Sequence, residues 1–270
     1  MRLAALFFAL LGPAALAAEP APFAFYRLPV DGCDFLFSSA YEPVVRRDRA
    51  AFLAAMRRLD TILEDRALEK RCQIIFTVNR LEMQTYLEEV LRLPASRAER
   101  AVGEGSFRKD TTYIALVGQA DLNWSSAFFL TEYARQALMA RQGVHAAWFV
   151  EGLAIVLAWT SLYPDKPQML ESYYGPLFDN RRPRTLSSLF SRADFDRQLE
   201  DHGVHVLAQS ALSVYYLGRR VGNFSRPLYV LKNFEKEKNF SSALERATGI
   251  SLEQYEKELY YRYYPLFNRS

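Results

Sequence analysis

The chain has 270 residues, with 34 lysines and arginines against 31 aspartates and glutamates, a formal net charge of +3. That near-balance gives no electrostatic argument for a nucleic-acid partner. The length suits one domain around one sizeable core.

Met1-Arg2, an apolar run from Leu3 to Leu16, and small residues at Ala15, Ala17 and Ala18 have the layout of a secretory signal peptide. Gly12-Pro13 interrupts a run already short for a bilayer anchor, and no cysteine stands at the cleavage point to make a lipoprotein. Residues 1–18 are therefore expected to be removed on export to the periplasm or the medium, leaving a mature chain of net charge +2. The expected domain is 19–270, strand-rich over 19–122 and helical over 123–270.

Phe23–Pro29 and Cys33–Ser38 read as strands. Val44–Asp65 carries Phe52, Met56, Leu59, Ile62 and Leu63 at helical spacing, with arginines between. Gln73–Val78 is a β-branched and aromatic run, hence a strand. Glu82–Leu93 reads as a helix stopped by Pro94, and Arg97–Gly105 as a polar connection. Ser106–Arg108 and Thr112–Val117 read as a hairpin or paired edge strands. Beyond Leu122, helices are expected at Ser125–Gln142, Ala146–Leu162, Val204–Val221, Arg226–Glu235, Ser241–Thr248 and Leu252–Tyr263. Tyr163–Gly203, rich in proline, arginine and turn residues, reads as a loop over a cleft with short helical pieces such as Leu186–Phe190. Strands first and helices after predict an α+β fold, a small mixed sheet followed by a mainly helical half.

The run Ala146–Tyr163 is apolar, but Glu151 lies in its first third and the stretch is short. A buried core helix is expected, with no membrane span in the mature chain. Cys33 and Cys72 are the only cysteines, and each opens a strand with one helix between. Neighbouring parallel strands would start side by side, and export supplies an oxidising compartment, so a disulfide is expected. In the chain-entropy model it would stabilise the fold by about 4 kcal/mol.

The most informative residues are Leu130-Thr131-Glu132-Tyr133-Ala134-Arg135 and Ala147-Trp148-Phe149-Val150-Glu151-Gly152-Leu153-Ala154. Behind them come Ala208-Gln209-Ser210-Ala211, Tyr216-Leu217, Gly222, Phe240-Ser241-Ser242-Ala243-Leu244 and Thr248-Gly249-Ile250-Ser251-Leu252-Glu253. In this order and spacing, over most of the mature chain, they resemble the peptidase MA-like group of gluzincin metallopeptidases. That group places two zinc-binding histidines one helical turn apart around a glutamate, with a third carboxylate ligand on the next helix. The resemblance implies a gluzincin-like fold. It puts Glu132 at the general-base position and Glu151 at the third-ligand position. Thr131 and Arg135 stand where the imidazoles belong, and Ala146 replaces the proline usual before the tryptophan.

Threonine is a weak zinc ligand, and arginine stays protonated and repels the ion. Two carboxylates alone neither hold zinc tightly nor lower the pKa of its water to about 7. Peptide hydrolysis by the family mechanism is not expected. Glu151 on an apolar helix must be neutralised or paired, because a buried lone carboxylate costs several kcal/mol. The expectation is that Arg135 supplies the positive charge across the helix pair and that Glu132, three residues back, joins it. The competing reading leaves Arg135 at the surface and Glu151 protonated.

An alternative is a rewired zinc site built from His202, His205 and Glu151, with His145 ahead of Trp148. Against it stands the reading of His202 and His205 as partly exposed residues at a helix start. Ser125-Ser126 and Ser241-Ser242 lack a glycine-flanked elbow, and no phosphate-cradling glycine loop occurs. The aromatic tail Tyr260-Tyr261-Arg262-Tyr263-Tyr264-Pro265-Leu266-Phe267 reads as a last helix docking on the core. The sequence thus predicts an exported, catalytically inactive pseudo-metallopeptidase. It would bind a peptide or envelope protein or act as a scaffold, with no cofactor expected and zinc only under the alternative.

Overall fold

The strands form because β-branched and aromatic residues alternate in register across five short segments. A computed structural model describes residues 26–30, 33–37, 42–63, 72–77, 79–104, 106–109, 112–116, 125–139, 146–178 and 183–262. Residues 1–18, His145 and the tail beyond Arg262 lie outside the described residues. The strands are β1 (Tyr26–Val30), β2 (Cys33–Phe37), β3 (Cys72–Thr77), β4 (Ser106–Lys109) and β5 (Thr112–Leu116). They form one sheet in the order β1-β2-β3-β5-β4, with antiparallel outer pairs and parallel inner pairs.

Register decides which side chains face which layer, because successive residues point to opposite faces. Leu36 pairs with Ile75, Ile75 with Ile114, and Ile114 with Phe107, making one row across four strands. This row packs on Met83, Leu87, Ala98, Ala101 and Val102. Those residues come from α2 (Arg80–Thr85), its wide-turn continuation Tyr86–Val90, and α3 (Ala95–Glu104). The opposite face carries the paired Phe37 and Phe76 into the larger core, with Phe52, Met56, Leu59 and Leu63 of α1 (Glu42–Leu63).

The helical half wraps around α5 (Ala147–Leu162), which is buried at every position except the half-buried Thr160 and Leu162. A helix apolar all round belongs inside a protein layer. Here its cover is α1, α4 (Ser125–Met139), α6 (Gln168–Phe178) and α8 (Val204–Arg220). No helix among the described residues is long and apolar enough to cross a membrane. Gly152 sets how closely α5 and α8 cross. A Cβ there would lie 2.7 Å from the Ser210 carbonyl carbon and 2.8 Å from Val214 Cγ2. The glycine after Glu151 is thus required by packing alone. The chain closes with α9 (Leu228–Glu237), α10 (Phe240–Thr248) and α11 (Leu252–Arg262).

Two expectations are corrected. Arg97–Glu104 is helical: it belongs to α3, whose buried residues among those described are Ala98, Ala101 and Val102. Tyr163–Gly203 holds two full helices, α6 and α7 (Arg192–His202), besides the short turn Leu186–Leu189. The α6 helix begins directly after Pro167 and buries Leu170, Tyr174 and Phe178 one turn apart. Ser191 caps α7 by accepting from the Asp194 N–H, and Gly203 at φ 57° ends it. The α+β class holds, with a sheet followed by helices.

Candidate functional site

Glu151 sits on α5 with its side chain 2% exposed. It cannot reach water to stabilise its charge, so the neighbouring elements must do so. Arg135, near the end of α4, places Nε 2.7 Å from Glu151 Oε2 and turns Nη1 to Glu132 Oε2. One guanidinium thus joins two carboxylates, one on its own helix at i−3 and one across the helix pair.

The second oxygen of Glu151 is taken by a residue that sequence reasoning missed. Arg192, at the start of α7, donates from Nη1 to Glu151 Oε1 at 2.5 Å and holds Nε 3.0 Å from Asp196 Oδ1. Its guanidinium also lies over the Phe195 ring, 5.6 Å from the centroid. The only advance signal was Ser191 followed three residues on by Asp194, a helix-start pattern that puts position 192 at the head of a helix.

Burial by itself lowers the Arg135 pKa, but Glu151 and Glu132 overcome it and hold the guanidinium above its ordinary value. Burial likewise lowers the Arg192 pKa, and Glu151 and Asp196 together raise it above its ordinary value. Burial pushes the phenol of Tyr174 up, aided by Tyr173 and opposed by Trp159 and Arg135. Tyr174 lies 4% exposed on α6 within the electrostatic reach of Arg135.

Thr131, one turn before Arg135, is buried and donates its hydroxyl to the Ala127 carbonyl at 2.8 Å. Its proton is spent inside its own helix. The donor set around Glu151 does not fit zinc: a fixed guanidinium lies between the two carboxylates, and both Glu151 oxygens already accept hydrogen bonds. The histidines of the rewired alternative are placed elsewhere. The His205 ring bonds the Leu177 carbonyl through Nδ1, and His202 ends α7. Neither lines the cleft above Glu151. Among the described residues no group of three or more His, Cys, Asp or Glu is placed to hold a metal ion.

Above the cluster opens a cleft of about 660 Å³. Arg135 and Glu151 form its floor, α3 contributes Arg100, and the α7–α8 corner supplies Arg192, Asp196, Leu199 and Val204. The segment read as a loop over a cleft is therefore a helical wall of one.

Cys33 and Cys72 are register partners on parallel β2 and β3, where neighbouring strands lie about 4.8 Å apart, within the Cα separation a disulfide spans.

No protein-family model matches the chain, and no curated protein matches it.

Proposed function

We propose that the protein is a non-catalytic binding module built on a gluzincin-like scaffold, exported and acting on a peptide or protein partner. The observation that carries this reading is the seat of Arg135. Its guanidinium occupies the space between Glu132 and Glu151, where the resemblance would place a metal. A permanently protonated side chain there supports the buried charge and leaves neither carboxylate free as ligand or base. The cleft above it has the volume of a small-ligand or peptide-side-chain site.

The test uses the purified mature protein. Elemental analysis after zinc exposure and dialysis is expected to give no stoichiometric metal, and fluorogenic peptides are expected to remain uncut. Peptide pools are expected to bind saturably. Stoichiometric zinc together with hydrolysis abolished by Glu132→Gln would overturn the proposal.

A further inference from the structure

The cleft has an uneven supply of donors and acceptors, and that imbalance selects a ligand; the inference rests on the binding reading above. Glu151 gives both oxygens to Arg135 and Arg192, and Asp196 is engaged by Arg192. The guanidiniums are less fully spent, since each has five N–H donors. Arg135 directs Nε and Nη1 to carboxylates, as does Arg192. Arg100, exposed on α3, forms no ion pair among the described residues. Three guanidiniums with donors to spare thus line one space, and among the described residues lining it Glu200, which is exposed, is the one acidic group outside these pairs. Beside them Leu199, Val204 and Leu207 make an apolar wall, with Val204 43% exposed.

We infer that the cleft takes the C-terminal carboxylate of a peptide whose last side chain is apolar. The carboxylate is received by Arg100 and Arg192, and the side chain lies against the Val204 wall. A chain end joins a carboxylate and an apolar group on one carbon, as this lining requires. An internal Asp or Glu brings the charge without the apolar partner. Charge-assisted, fork-shaped pairing of guanidinium and carboxylate supplies the specificity.

The experiment is fluorescence anisotropy on the mature protein. The probe is a fluorescein-labelled hexapeptide pool, randomised inside and ending in Leu, Val or Phe, prepared as free acid and as C-terminal amide. The free acid is expected to bind about tenfold tighter than the amide. Arg100→Gln, at an exposed position, should weaken the acid by about tenfold and the amide by much less. Glu200→Gln should strengthen the acid by about twofold. Equal binding of acid and amide, indifferent to Arg100→Gln, overturns the carboxylate assignment while peptide binding stands. Binding of neither form overturns both readings.

Discussion

Arg135 Nε stands 2.7 Å from Glu151 Oε2, a guanidinium on one helix closing the charge of a carboxylate on the next. Removing Arg135 costs more than the pair itself contributes, because Arg192 still holds one Glu151 oxygen but the other is stranded without solvent. Arg135→Met is expected to lower stability by about 3–5 kcal/mol in urea unfolding. Arg135→Met combined with Glu151→Gln should lose less than the two single losses added together. Simple additivity would mean the two side chains do not depend on each other.

Gly152 tests packing separately from charge. Gly152→Ala places a methyl group against the Ser210 backbone and Val214 and should cost about 1–3 kcal/mol by forcing α5 from α8. Thermal unfolding reads this directly. A variant as stable as the parent would show that the crossing can open at no cost.

Two introduced imidazoles alone should not make a zinc site here. Thr131→His with Arg135→His puts ligands at i and i+4 on α4, yet Arg192 still holds Glu151. Calorimetric titration is expected to show no tight zinc binding in this double variant. Adding Arg192→Ala should release the carboxylate and give tight binding. A folded triple variant that ignores zinc would remove the case for a vestigial metal position.

The site and half the fold were legible for the same reason: charge and periodicity leave strong marks. Glu151 in a mostly apolar helix demanded a cation, and the motif position shared with the resemblance pointed to Arg135 rather than to the nearer Arg141. The parallel pairing of β2 and β3 followed from two strands with one helix between. What escaped was helix with little apolar signal. Among the described residues α3 buries Ala98, Ala101 and Val102, all small or short, and the α7 helix buries little besides Phe195. Prolines 167 and 176 read as breakers, though the first merely precedes a helix and the second sits in its last turn. Arg192 was hidden because its helix was.

Alkaline pH should expose Tyr174. Its phenol is held neutral above the ordinary tyrosine range, while in the unfolded chain it ionises at about 10. The unfolded state therefore loses the proton first, and stability falls as pH rises above that value. Tyr174→Phe is expected to move the alkaline unfolding midpoint, followed by tryptophan fluorescence, to higher pH. An unmoved midpoint would place the alkaline weakness at another buried group.

The register of Cys33 against Cys72 predicts a bridge if the chain matures in an oxidising compartment. Intact mass after alkylation should show both thiols protected until reduction. Reduction should then cost about 4 kcal/mol in the chain-entropy model. Two alkylated cysteines in unreduced protein would reject the bridge.

Because Arg192 belongs to the cleft's wall and Glu151 to its floor, the width of the opening is mechanically tied to a bond at its base. A guest that draws Arg192 toward itself should therefore loosen the α7 helix from α5. Amide hydrogen exchange along Arg192–His202 would register it, quickening when guest is added and staying constant if wall and floor move independently.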